Sequence, residues 1–178
     1  MILSSAVLAV HQDTYNDATF VTSFWSGVWA LWLVSRRDAP LEALAVQAKA
    51  LVTLIIGMIF TGGFVGKLTG QYWDGIVLAN IFGAYEAGAL VEWIKHSLTP
   101  QIQATAFRAL ARSVILCEGL LALSPFFPYK FLLYIGVPLL LSFALTNTVW
   151  IYSVVSCLLG MIFAAKRLEE MPKITSRS

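Results

Sequence analysis

The sequence predicts an all-α integral membrane protein, a bundle of about five transmembrane helices. Of its 178 residues, 58% are hydrophobic and only 12% charged, with a mean hydropathy of +0.76. A soluble domain has about 45–50% apolar and about 25% charged residues. The apolar residues also fall in runs close to the ~20 residues that a helix needs to cross a bilayer.

The runs can be taken in chain order. The first residues, MILSSAVLAV, lack the positive n-region of a secretory signal and read as an interfacial segment. The polar stretch from His11 to Asp17 reads as a solvated lead-in, or as a lid over a cavity mouth. The first span is 18–35, ended by Arg36-Arg37-Asp38 and Pro40; the second is 44–66 and the third 75–94. A fourth, 105–123, is closed by Ser124-Pro125-Phe126-Phe127-Pro128. The last run is too long for one upright helix and short for two. Pro138 lacks the amide donor of a helix interior, so 126–137 is expected to be interfacial or re-entrant and 138–165 a tilted final span.

Charge sets the crossing number. With five crossings, ten of the 12 basic residues share one side and only Lys67 and Lys130 lie opposite. A double crossing of the last run would split them evenly, against the bias for basic cytoplasmic loops. The expected orientation is N-terminus outside or lumenal and C-terminus cytosolic. Tyr72, Trp73, Phe126, Phe127, Tyr129 and Tyr134 would form an outer aromatic belt. The membrane is expected to be the endoplasmic reticulum in a eukaryote and the inner membrane otherwise.

Polar residues inside the runs are the candidate site. A carboxylate at the bilayer centre costs about 2.5 kcal/mol or more and almost always faces a bundle interior or cavity. Glu86 falls halfway along the third span and Glu118 well inside the fourth. Asn80 lies at the depth of Glu118, and Thr146-Asn147-Thr148 adds polar groups on the last run. Interhelical hydrogen bonding accounts for the amides and threonines. For the carboxylates an amide would serve as well at lower cost, so chemistry is a competing reading. Asp74 and Tyr85 share a helical stripe above them, with Asp74 at the mouth; Glu92, Lys95 and His96 make a solvated ion-pair face.

Trp25, Trp29 and Trp32 recur at i, i+4 and i+7, as core packing or as the wall of an apolar pocket. Trp73 and Trp150 are the other tryptophans assigned to such a wall.

Several chemistries drop out. A net charge of +2 without a basic cluster argues against nucleic-acid binding. GGFVGKLT at 62–69 fails as a phosphate loop, because position 61 is Thr61 and Leu68 follows Lys67. Gly62, Gly66 and Gly70 mark close helix packing instead. His11 and His96 are expected on opposite sides, and Cys117 and Cys157 have no ligand spacing, so no metal or other cofactor is expected.

The leading functional expectation is an enzyme working on a lipophilic terpenoid-, sterol- or polyketide-like molecule by acid–base chemistry: cyclisation, isomerisation or epoxide opening. Glu86, Glu118 and Asp74 would be catalytic, with Asn80, Tyr85, Asn147, Trp25, Trp29, Trp73 and Trp150 binding substrate. The alternatives are a non-catalytic subunit of a larger membrane complex and a proton-coupled transporter or channel protomer. Lipids, the lipophilic ligand, and further copies or partner subunits are the expected partners.

Overall fold

The computed structural model describes residues 17–84, 89–146 and 149–171. They form an all-α protein of eight α-helices: α1 (Asp17–Ser35), α2 (Leu41–Gly66), α3 (Gly70–Trp73), α4 (Ile76–Ala84), α5 (Ala89–Ser97), α6 (Pro100–Ala122), α7 (Val137–Thr146) and α8 (Val149–Glu170). Among the described residues α2 alone is long and apolar enough to cross a membrane by length and composition; Thr19–Ser35 and Leu132–Phe143 are shorter apolar helices.

α2 is the axis of the fold. Pro40 holds an extended conformation before its first turn, and the Lys67 amide closes its last turn on Phe64 and Val65. Twenty-six residues make it about 39 Å long. α1 runs back along it after the Arg36–Ala39 turn, with Trp29 Nε1 donating to the Ala48 carbonyl at 3.4 Å. The buried face of α1 also carries Thr19, Thr22, Ser23 and Ser26, at helical i, i+3, i+4, i+7 spacing. Such small side chains let a neighbouring helix approach closely.

The last apolar run departs from the single tilted span expected from sequence. It is two antiparallel helices, α7 and α8. Phe143 near the end of α7 stacks on Phe60 with ring centroids 6.1 Å apart. Tyr129, just before α7, instead donates to the Ile162 carbonyl deep in α8. Lys49 near the start of α2 then pairs with Glu169 near the end of α8 at 2.6 Å. Asn147 and Thr148, between α7 and α8, lie outside the described residues. Pro138 has a different effect from the one expected: a π-helical turn at Leu132–Gly136 leads into the first turn of α7, which contains Pro138. A wider turn accommodates the missing amide donor.

The third expected span is also replaced. Residues 75–94 divide into α4 and α5, whose far ends both meet the N-terminal half of α6. Gly75 has φ of 78°, and a Cβ there would lie 2.6 Å from the Arg108 nitrogen. The Lys95 carbonyl accepts from Gln103 Nε2 at 2.8 Å. One straight helix would separate those ends by about 30 Å; the segment doubles back. Residues 85–88, between α4 and α5, lie outside the described residues.

α6 joins two cores. Its C-terminal part runs antiparallel to α2: Glu118 lies against Gly63, and Pro125 beyond it against Gly57. Ser124 Oγ then donates to the Thr53 carbonyl at 2.9 Å. The first core, of Trp29, Val52, Ile56, Leu121, Leu140, Leu158 and Met161, lies among α1, α2, α7, α8 and this end of α6. The N-terminal half of α6 projects past the end of α2 and carries a second core. Tyr72, Leu78, Phe82, Val91, Ile94, Phe107, Ala111 and Ile115 fill it.

This geometry redistributes the basic residues. Lys130 and Tyr129, expected opposite Lys49, lie with it: the Lys49 ammonium is 5.6 Å from the Tyr129 ring, and Lys130 acts on Glu169. Lys95, Arg108 and Arg112, expected on the Lys49 side, lie at the Lys67 end, with Arg112 5.1 Å over the Trp73 ring. The cause is the doubling back of α4–α5, which leaves α6 starting where α2 ends.

Candidate functional site

The two cores meet at an ion pair. Lys67 Nζ lies 2.9 Å from Glu118 Oε1, with side-chain exposures of 26% and 11%. Lys67 follows the last turn of α2, and Glu118 sits where α6 passes it. The ammonium also reaches the Gly63 carbonyl at 3.4 Å and stands 5.7 Å from the centre of the Tyr72 ring. The second carboxylate oxygen, Glu118 Oε2, is buried and has no hydrogen-bond partner among the described residues.

Tyr72 is placed by the short helix α3, whose cap is Thr69: the Thr69 hydroxyl accepts from the Tyr72 amide at 3.3 Å. Burial, and after it the Glu118 carboxylate, push the Tyr72 phenol well above its usual pKa. It is therefore a proton donor at neutral pH.

These groups open onto a cavity of about 570 Å³ between α1, α2, α7 and α8. Its walls are mostly apolar, with Ile59, Phe60, Leu140, Phe143, Val155 and Leu158 among them, while Thr22, Lys67, Tyr72 and Glu118 supply polar groups. The Thr22 hydroxyl is also buried without a hydrogen-bond partner. Sites for small molecules occupy roughly 300–1,000 Å³ and combine apolar walls with a few polar groups in this way.

Of the residues expected from sequence to form the site, Glu118 is at the cavity. Asn80, expected to point into the bundle, is on an exposed face of α4. Asp74 is exposed, at the C-terminal cap of α3, and does not line the cavity. Trp29 is 2% exposed and anchors α1 to α2; Trp25 packs against the same core and edge-on to Phe24. Trp73 lies under Arg112. None of these three tryptophans lines the cavity. Tyr85, Glu86 and Asn147 lie outside the described residues, as does the side chain of Trp150.

Lys67, Tyr72 and Thr22 are the members that sequence reasoning missed. Lys67 and Glu118 fall at similar depths below the same face, a usable pairing signal. Thr22 belongs to the small polar stripe of α1, which the more conspicuous tryptophans obscure. Comparison of the chain with protein families, curated proteins and solved structures finds no match to any of them. The described residues contain no group of histidine, cysteine and carboxylate side chains able to hold a metal ion, and both cysteines are free.

Proposed function

We propose that this chain is a multi-pass membrane protein whose bundle binds a lipophilic small molecule and transforms it by acid–base chemistry. α1, α2, α6 with the turn after it, α7 and α8 would provide five passes, with α3–α5 gathered at the outer face. Large exposed apolar side chains support the membrane setting: Phe24, Leu31, Leu54, Val65, Leu116 and Leu141 are between 46% and 63% exposed on most of these helices. Arg36, Arg37, Lys49, Lys130, Lys166 and Arg167 lie at the opposite end from Lys67, which favours a cytosolic C-terminus.

The observation that carries the chemical reading is the unpartnered Glu118 oxygen on the wall of an apolar cavity of ligand size. Paired with Lys67, Glu118 is a proton acceptor, and the Tyr72 hydroxyl is a donor close to it. An acceptor and a donor at one end of an apolar chamber suit a proton-moving reaction such as isomerisation, cyclisation or epoxide opening.

The test is product profiling in cells expressing wild type, Glu118→Gln and Tyr72→Phe. A positioned acid or base contributes roughly 100- to 10,000-fold in rate, so the lipophilic product is expected to vanish from the Glu118→Gln profile. An unchanged profile with normal expression would remove Glu118 from any chemistry. A second reading, a non-catalytic subunit, is favoured by the ion pair itself, which also clasps α2 to α6. On that reading both variants keep the metabolite pattern, and only assembly changes.

A further inference from the structure

The polar end of the cavity is unequal in what it leaves unsatisfied. Its cation is paired: Lys67 holds Glu118 Oε1 and the Gly63 carbonyl and stands over the Tyr72 ring. Its anion is half engaged, with Glu118 Oε2 buried and unpartnered. A buried acceptor without a donor costs about 1–3 kcal/mol, and more when charged. The Thr22 hydroxyl lacks a partner as well. Among the described residues, Glu118 Oε2 therefore lacks a donor.

Charge narrows the partner further. Lys67 and Glu118 cancel, so a charged head would enter without a counter-ion. A carboxylate or phosphate would stand against Glu118 Oε2. An amine cation would stand beside the Lys67 ammonium. A hydroxyl donates to Oε2 at no cost in net charge, and its own oxygen needs no counter-ion. We infer that the ligand of this cavity is a neutral lipophilic alcohol, its hydroxyl donating to Glu118 Oε2 and its hydrocarbon body lying between Phe60, Phe143 and Leu158. The inference rests on the reading of the cavity as a ligand site and specifies the head group.

Gly63 is part of the same device. A Cβ at this position would lie 3.1 Å from Glu118 Oε2, crowding the space where the hydroxyl belongs. A Cβ at Gly62, also on the cavity lining, would meet nothing within 4 Å. The pair supplies a variant that obstructs the head and a control one residue away.

The experiment measures binding of four probes with one hydrocarbon chain to the full-length protein in detergent: decan-1-ol, its methyl ether, decanoate and decylamine. The alcohol is expected to bind about tenfold tighter than the ether or more, as a hydrogen bond to a charged acceptor implies. Decanoate and decylamine are expected to bind more weakly than the alcohol. Glu118→Gln places an amide at the site, which can donate to either oxygen, so alcohol and ether should then bind within about twofold. Gly63→Ala should weaken the alcohol selectively, whereas any effect of Gly62→Ala, away from the carboxylate, should fall on alcohol and ether alike. Equal binding of alcohol and ether to wild type, or tightest binding of decanoate or decylamine, would overturn the head-group inference while leaving the cavity a ligand site. Failure of all four to bind would overturn the ligand site as well. The wild-type series decides the matter even if Glu118→Gln does not fold.

Discussion

The bundle around α2 and the lobe around the N-terminal half of α6 are both apolar and helical, yet they are held together differently. In the bundle, long helices pair over many turns, and Ala48, Val52, Ile56, Leu158, Ile162 and Ala165 are all 0% exposed. In the lobe, Leu78 and Phe82 of α4 and Val91 and Ile94 of α5 pack on Phe107, Ala111 and Ile115 of α6. The two short helices depend on α6, through the stacked Phe82 and Phe107 rings 6.2 Å apart and the close seat of Gly75. Apolar composition thus does not reveal how a region is held together. Contact along a long shared axis builds the bundle walls of the cavity, and the lobe supplies Tyr72.

The largest effect is expected where the two regions join. Lys67→Met leaves the Glu118 carboxylate buried without its cation, and removing one partner of a buried pair typically costs about 3–5 kcal/mol. Lys67 is partly exposed, so the lower part of that range applies. Lys67→Met combined with Glu118→Leu should recover most of the loss in thermal melts. If the double variant is no better than the single one, the pair is not the junction.

Next come the cores themselves. Leu158→Ala in the bundle and Phe107→Ala in the lobe each remove a well-buried side chain, for about 2–5 kcal/mol. The distribution should differ. Leu158→Ala is expected to speed hydrogen exchange throughout the chain, whereas Phe107→Ala should speed it mainly in α3–α5 and the first half of α6. Uniform exchange in both variants would make the molecule one cooperative unit. Gly75→Ala should act on the lobe alone, at about 1–3 kcal/mol for a side chain in left-handed backbone, with added crowding against Arg108.

The smallest effect belongs to the far end of the bundle. The Lys49 hydrogen bond, then its charge, hold the Glu169 carboxyl below its usual pKa. A lowered folded-state value means the contribution is fully present above the ordinary carboxylate pKa and is lost as pH falls through the lowered one. Melting temperature should therefore slip slightly below about pH 4, and Lys49→Gln should remove that step. The lobe carries no part of it.

The helical class was legible from the apolar runs, and Pro40 and the Ser124–Pro128 stretch marked the breaks before α2 and after α6. Glu118 was legible too, because a carboxylate inside an apolar helix demands a partner. The packing of α4 and α5 on one half of α6, and of α7 alongside α8, was not, because hydropathy averages along an apolar run and carries no direction. Counting basic residues on two sides magnified the error, since each unseen reversal exchanges every later charge. Thr22 escaped for another reason: small polar residues at helical spacing look like ordinary surface until the helix that covers them is known.

α8 runs antiparallel to α2 and closes the cavity with Val154, Val155 and Leu158, yet of the described helices it is made after all the others. At about 5–20 residues per second of synthesis, the stretch from the end of α2 to the end of α8 takes on the order of 5–20 s to appear. During that interval the polar stripe of α1 and the apolar flank of α2 have no native covering. The nascent chain thus presents an unfinished chamber to the surrounding lipids and to any insertion machinery, and a chain stopped before Val149 would keep Glu118 and Lys67 but have no wall opposite them.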